Sequence, residues 1–249
     1  MPRIASTMYQ DMLNFFRNQL TSVVLLALLT ALINVILGYI LSPGSAQLRI
    51  LNDCNNISNI ADMSIQQLVR NMSLEQQMVL LKAAAASTIA GIVGNVLLAS
   101  GLLNMVRLTS NNQQPNSVLR AIGLSAPILP RLLLLIFLTT LLVQLGMLFI
   151  IVPGVVFAIA FSLAPVIATS DNLGTIKSMR MSASLAFANI RLLAPAVCLW
   201  LLAKAIVLLL ATKLTIISSL IVAVLLNGLI NLLSAILLIY LFRLYILLR

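Results

Sequence analysis

The stretch "IRLLAPAVCLWLLAKAIVLLLATK", residues 190–213, decides the fold of this chain. Its middle is continuous hydrocarbon except for one lysine, Lys204. A helix needs about 20 apolar residues to cross the hydrocarbon core of a bilayer, and this stretch is long enough. The apolar residues run on without the alternation of a barrel strand, so we predict a membrane-spanning helix.

The whole chain has the composition of a membrane protein. Of its 249 residues, 61% are hydrophobic and only 8% are charged, against about 25% charged in soluble domains. We therefore predict an all-α, polytopic membrane helix bundle that forms a single integral membrane domain over residues 1–249. About six transmembrane helices in three hairpins are expected, at 20–41, 83–106, 131–151, 155–169, 192–211 and 216–242.

Amphipathic segments and a loop flank these spans. Residues 4–18 carry apolar side chains at helical spacing, which predicts either a surface helix or the start of span 1. A long outer loop is expected at 42–82, and within it Ser73 and Gln76 form a capping box from which a helix can run into span 2.

The second hairpin contains two further helix-breaking signals. The sequence "VPG" at 152–154 is expected to be a tight turn between spans 3 and 4. Pro165 is expected to kink span 4. A polar, basic segment at 170–191 then leads to span 5, and a brief turn at 212–215 leads to span 6.

The basic residues predict the orientation. Of the 15 Lys and Arg residues, ten fall in segments on the side of the N-terminus, four fall in the other segments, and Lys204 lies within a span. Because cytoplasmic segments carry the excess, both termini are expected to be cytoplasmic. The expected partners are membrane lipids, with anionic head groups at the cytoplasmic face, and not nucleic acid. The expected membrane-border residues are Arg17, Arg120, Arg131, Arg180 and Arg191.

A weak internal repeat relates the second and third hairpins. Aligning Arg131 with Arg191 also places Gln144 on Lys204. Each unit has a basic segment, an arginine at the membrane border and two spans. All three hairpins start on the same side, so these are parallel repeats, unlike the inverted repeats of many transporters.

The residue inventory argues against an enzyme. The chain has no histidine, and none of its five acids lies in a predicted span, which disfavours ion-coupled pumping. Cys54 and Cys198 lie at different membrane levels, so neither a disulfide nor a metal site is expected. We expect no catalytic residue and no cofactor.

Among the polar side chains inside the predicted spans, four form a candidate intramembrane polar cluster: Gln144, Lys204, Asn227 and Asn231. Amides in spans often hydrogen-bond neighbouring helices, whereas an intramembrane lysine indicates a functional site. Lys204 and Asn227 lie at similar depth on one hairpin, so we hypothesise a contact between them.

Several long segments resemble a known family. These are "LRAIGLSAPILPRLLLLIFLTTLLVQLG" (119–146), "LAPAV" (193–197) and "SAILLIYLFRLYILLR" (234–249). They resemble an uncharacterised family of enterobacterial inner-membrane proteins represented by YciC. The resemblance implies a multi-span helical protein of the bacterial inner membrane and carries over no catalytic residue.

Three functions follow as alternatives. The leading expectation is a non-enzymatic inner-membrane protein that supports envelope or lipid organisation. The second is a transporter of a small or lipidic solute, and the third is a lipid-modifying membrane enzyme. A cavity that reaches Lys204 would favour transport, and tight packing around it would favour a structural role.

Overall fold

A computed structural model describes residues 17, 19–44, 72–110, 123, 128–149, 151–214 and 220–248. All of the predicted surface helix at 4–18 except Arg17 lies outside these residues, as do Arg120 and most of the predicted outer loop. The described chain forms these helices: α1 (Leu20–Leu41), α2 (Leu74–Ser110), α3 (Leu129–Phe149), α4 (Ile151–Phe161), α5 (Ala164–Ser170), α6 (Thr175–Ala188), α7 (Ile190–Leu214) and α8 (Leu220–Leu248).

Six helical segments are long and apolar enough to cross a membrane, with α4 and α5 together making one of them. The predicted all-α membrane bundle is therefore confirmed. The outward faces remain apolar, as on α7, where Leu199, Leu202 and Leu209 are each at least 60% exposed. Such exposure would be unfavourable in water and is expected in lipid.

The chain divides into two compact units, one of Met1–Ile33 with Ile92–Arg249 and the other of Asn34–Gly91. In the second unit, α2 begins with the predicted capping box. The Ser73 amide donates to Gln76 Oε1 at 2.9 Å, and the Gln76 amide donates to Ser73 Oγ at 3.3 Å. The helix that starts here continues without interruption to Ser110, as predicted.

The first unit has an apolar core to which every long helix contributes. Its largest fully buried side chains come from distant parts of the chain and include Leu26, Leu102, Leu132, Leu163, Leu193 and Tyr245. Side chains of α1, α2, α3, α7 and α8 therefore meet in one core, together with Leu163, which lies between α4 and α5.

Helices α3 and α4 form a tight hairpin. A Cβ placed on Gly146 would lie 2.9 Å from Gly154 Cα and 2.8 Å from Phe157 Cδ2, so the hairpin requires glycine here. The predicted turn at 152–154 is wrong, because α4 already begins at Ile151. Pro153 falls in the first helical turn, where its missing N–H costs nothing.

Span 4 is broken in the middle. Helix α4 ends at Phe161 and α5 begins at Ala164. Pro165 has no N–H to donate to the carbonyl of Phe161, which interrupts the helical hydrogen bonds. Ser162 bridges the break, with its amide at 3.3 Å and its Oγ at 2.8 Å from the Ile159 carbonyl oxygen. The sequence predicts a kink at Pro165, and the structure has a break between α4 and α5 beside this residue.

The basic segment after span 4 folds into α6, which packs on α3, α4 and α5. Its buried face consists of small and hydroxyl side chains with one methionine: Ser178, Met179, Ser182 and Ala186. The Ser182 hydroxyl donates to the Ala160 carbonyl at 2.6 Å, close to the break. Small side chains allow this close approach, because a helix in lipid packs by contact and not by the exclusion of water.

Helices α7 and α8 run antiparallel. The Tyr240 hydroxyl donates to the Leu192 carbonyl at 3.2 Å. Helix α7 extends to Leu214, so Thr212 and Lys213 are helical and the predicted turn lies too early; residues 215–219 are outside the described chain.

Two long-range hydrogen bonds fix one end of the first unit, which we call the Arg131 end. Arg131 Nη1 donates to the Asn172 carbonyl at 2.6 Å. Asn172 has φ 51°, a left-handed conformation that Asn tolerates better than most residues. The Tyr245 hydroxyl donates to Asp171 Oδ2 at 2.5 Å.

Candidate functional site

A cavity of about 340 Å³ lies among α2, α3, α4, α5, α7 and α8 of the first unit. We call it the Lys204 cavity. Leucine, valine, isoleucine, alanine and one phenylalanine make up most of its lining. Eight lining side chains carry a polar atom: Asn95, Thr139, Thr140, Gln144, Ser162, Trp200, Lys204 and Ser234. Apolar walls with a few polar groups are typical of ligand sites.

Lys204 stacks on Trp200, which lies one helical turn earlier on α7. The ammonium nitrogen is 4.1 Å from the centroid of the indole ring. Residues four apart on a helix share a face, so this contact follows from their spacing. With a rise of 1.5 Å per residue, Lys204 is about 21 Å from the start of α7 and about 15 Å from its end. The lysine therefore lies deep within the span.

The stacking does not offset the cost of placing a lysine there. A lysine near the bilayer centre costs about 2.5–3.5 kcal/mol on insertion scales. A cation–π contact returns about 0.5–2 kcal/mol. Lys204 has no hydrogen bond or ion pair with any described residue. A deficit of this kind points to a function for the lysine.

Several other donors around the cavity lack acceptors. Trp200 Nε1 is buried without a hydrogen-bond partner in the described chain. The side-chain amides of Asn95 and Gln144 likewise have no partner among the described residues. Gln144 lines the cavity and is exposed.

Three hydroxyls on the lining have already donated their protons within their own helix or turn. Thr139 Oγ1 donates to the Leu135 carbonyl at 2.9 Å, Ser162 Oγ to Ile159 at 2.8 Å, and Ser234 Oγ to Ile230 at 3.0 Å. Such back-bonding is common in membrane helices. These three groups therefore add polarity without competing for an acceptor in the cavity.

Among the described residues, no carboxylate lines the Lys204 cavity. Of the five acids, Asp11, Asp53 and Asp62 lie outside the described chain, and Glu75 and Asp171 are not on the lining. Asp171 is at the Arg131 end, where it accepts from Tyr245. No group of metal-ligating side chains occurs in the described chain either.

The structure brings two members of the predicted polar cluster together and leaves two apart. Gln144 and Lys204 both line the cavity. Asn227 Nδ2 donates to the Ala223 carbonyl of its own helix at 2.9 Å. The hypothesised Lys204–Asn227 contact is not formed, because Lys204 faces the part of α8 around Ser234 and Leu237.

Asn231 joins helices and does not face the cavity. It is 3% exposed, and its Nδ2 donates to Thr30 Oγ1 at 3.0 Å and to the Ala27 carbonyl at 3.3 Å. Gly228, one turn earlier, lets α1 approach, since a Cβ there would lie 3.0 Å from Leu28 Cδ2. These contacts fit the structural alternative for intramembrane amides.

Sequence reasoning did not identify Trp200 as a partner of Lys204, although their spacing of four residues was a usable signal. Asn95 and Ser234 also reach the cavity, and nothing in the sequence alone shows which face of α2 or α8 points inward.

The predicted border arginines that are described are all exposed: Arg17, Arg131, Arg180 and Arg191. Arg131 and Arg191 lie in the first turns of α3 and α7, at equivalent places in the two hairpins.

Fold and cavity together define a polytopic helical membrane protein with a largely apolar cavity among its spans that contains one lysine. The chain belongs to the uncharacterised protein family UPF0259, whose family model matches residues 1–247.

It is similar over its whole length to proteins named UPF0259 membrane protein. The relative from Sodalis glossinidius (strain morsitans) is 73% identical over 100% of this chain and 99% of its own. Relatives from Serratia proteamaculans (strain 568) and Yersinia pestis (strain Pestoides F) are 54% and 50% identical, each over 100% of this chain, and over 100% and 97% of their own length. No solved structure matches the chain.

Proposed function

We propose that this protein is a non-enzymatic lipid-binding protein of the bacterial inner membrane that supports lipid organisation in the envelope. The observation that carries the proposal is the Lys204 cavity, an apolar space among the spans with one ammonium group on its wall. A cavity of this volume is within the range of small-molecule sites. Its position among the spans favours a ligand that comes from the bilayer.

The cavity suits an amphiphile better than a water-soluble solute. Apolar side chains surround most of the space, and polar groups are few. Gln144 is exposed and lines the cavity, so we place the entrance beside it, on the side of the helices. In a membrane this side faces lipid, so an acyl chain can remain in the bilayer while its head group enters the cavity.

The proposed orientation has both termini in the cytoplasm, in accordance with the positive-inside rule. The Arg131 end then lies at the cytoplasmic surface. The exposed Arg131, Arg180 and Arg191 are suited to contact the anionic head groups of that leaflet.

Transport of a lipidic solute is a second candidate, favoured by the cavity that reaches Lys204 and by the break between α4 and α5. Ser162 and Pro165 of this break both line the cavity. Interrupted helices line the substrate sites of many transporters. In proteoliposomes that contain a labelled lipidic solute, a transporter would move the solute from one leaflet to the other. A protein that only binds the solute would not.

Native mass spectrometry tests the proposed binding. The wild type and two variants, Lys204→Met and Lys177→Met, would be purified in mild detergent and measured with their retained adducts. Lys177 is an exposed lysine of α6 that is not on the cavity lining, so it is a matched control. We expect one lipidic adduct in the wild type and in Lys177→Met, and less in Lys204→Met. Equal adducts in all three proteins, or none in the wild type, would contradict the proposal.

A further inference from the structure

We infer that the Lys204 cavity selects amphiphiles with an anionic head group, a carboxylate or a phosphate, that binds Lys204 and the N–H donors beside it. This inference rests on the proposed lipid-binding function and adds the chemical class of the ligand.

The charge of the lining is the first argument. Lys204 is the one charged side chain on the described lining, and no carboxylate accompanies it. A neutral or cationic head group would leave the ammonium without a counter-ion in a medium of low dielectric. An anion would supply the missing partner, and hydrogen bonds between charged groups are roughly twice as strong as neutral ones.

The balance of donors and acceptors is the second argument. The Lys204 ammonium and the Trp200 indole N–H can only donate. Trp200 Nε1 is buried and has no partner in the described chain, which leaves a desolvated donor unsatisfied. The amides of Asn95 and Gln144 offer both donors and acceptors, so the surplus of donors comes from Lys204 and Trp200. Carboxylate and phosphate groups consist of acceptor oxygens, so they complement this surplus.

Lys204 can also change partners. Its stem is flexible, and its contact with the Trp200 ring face at 4.1 Å is weak compared with a charge-assisted hydrogen bond. An anion in the cavity would draw the ammonium away from the indole. Trp200 is the single tryptophan of the chain, so its emission reports on its own surroundings, which are the Lys204 cavity and a neighbouring apolar pocket beside Leu233 and Tyr240.

The test compares ligands that share a chain and differ in the head group. The full-length protein in phosphatidylcholine nanodiscs would be titrated with oleic acid, oleyl alcohol, oleylamine and oleoyl lysophosphatidic acid, at a pH that ionises the acids and the amine. Inorganic phosphate alone is the control for a free anion. Trp200 emission and native mass spectrometry report binding.

We expect the two anionic amphiphiles to shift Trp200 emission and to form adducts, and the alcohol, the amine and free phosphate to do neither at the same concentrations. Lys204→Met is expected to weaken binding of the acids about 10- to 100-fold, as for a lost charge-assisted hydrogen bond. Lys204→Arg should retain the preference, and Lys177→Met should behave as wild type.

The outcomes separate this inference from the proposed function. Equal binding of the acid and the alcohol would overturn the charge selection and leave lipid binding intact. If free phosphate binds as tightly as the amphiphiles, the acyl chain of the ligand is not recognised. That result would overturn the inference that the ligand is an amphiphile. Absence of binding by every ligand would contradict both proposals.

Discussion

Lys204 is held deep in a span by contacts that are too weak to account for its position. Replacing it with methionine removes an insertion cost of about 2.5–3.5 kcal/mol and a cation–π contact worth about 0.5–2 kcal/mol. We therefore expect Lys204→Met to stabilise the folded protein by about 0.5–3 kcal/mol while it weakens ligand binding, a trade-off typical of functional sites.

Thermal unfolding in detergent, followed by the fluorescence of Trp200, would measure this change. Lys177→Met, at an exposed position of α6, should shift the midpoint little. A lower midpoint for Lys204→Met than for wild type would show that the lysine has a structural role.

Replacing Asn231 is expected to destabilise the protein, unlike replacing Lys204, because both hydrogen bonds of Asn231 cross from α8 to α1. Interhelical hydrogen bonds in membranes contribute about 0.6 kcal/mol on average and up to about 1.7. We expect Asn231→Leu to destabilise the protein by about 1–2 kcal/mol. Asn227→Leu is the control, since that amide bonds only to its own helix, and it should cost less than about 0.5 kcal/mol.

A double-mutant cycle with Thr30→Val would isolate the Asn231–Thr30 pair. Unfolding by SDS titration should give a coupling energy of about 0.6 kcal/mol or more. Additive effects of the two substitutions would show that the 3.0 Å hydrogen bond contributes nothing to stability.

Local signals were readable from the sequence, and signals that depend on helix rotation were not. The Ser73–Gln76 capping box and the interruption near Pro165 each depend on residues within one turn, so both could be predicted. Asn227 and Asn231 are one turn apart on α8 and look alike in sequence. Which of them meets Thr30 depends on how α8 is rotated against α1, and that is set by packing over the entire helix.

Helix α6 packs on the broken span and also donates to it one hydrogen bond from a buried hydroxyl. Ser182 is fully buried and donates to the Ala160 carbonyl at 2.6 Å, close to the break between α4 and α5. We expect Ser182→Ala to destabilise the protein by about 1–2 kcal/mol, because the substitution leaves a buried carbonyl with one partner fewer.

The same helix offers a control at Ser184, which is exposed. Ser184→Ala should change the unfolding free energy by less than about 0.5 kcal/mol. Guanidinium or SDS unfolding of the two variants would compare them directly. Similar stabilities would show that the packing of α6, and not this hydrogen bond, holds it to α4.

The two hairpins α3–α5 and α7–α8 place equivalent residues at equivalent positions. Arg131 and Arg191 both lie in a first turn, and Gln144 and Lys204 both line the cavity. The two residues that the weak sequence repeat aligns, Gln144 and Lys204, thus lie on one cavity. The difference between an amide and an ammonium at this position gives the cavity its charge.

The proposed orientation of the whole chain is tested by reporter fusion. A reporter that is active only in the cytoplasm, joined after Arg249, is expected to be active because the basic segments hold the C-terminus inside. A fusion to a reporter that is active only in the periplasm is the control and should be silent. The reverse pattern would overturn the proposed topology.

The docking of α6 also affects how protease mapping should be interpreted. Lys177 and Arg180 are exposed, and trypsin cleaves after lysine and arginine. Their backbone is helical, however, and Ser178 and Ser182 of the same helix are buried. A protease requires an extended segment, so cleavage must wait until α6 opens locally. Resistance to trypsin at these positions would therefore report the stability of a docked helix, and it would not show on which side of the membrane the segment lies.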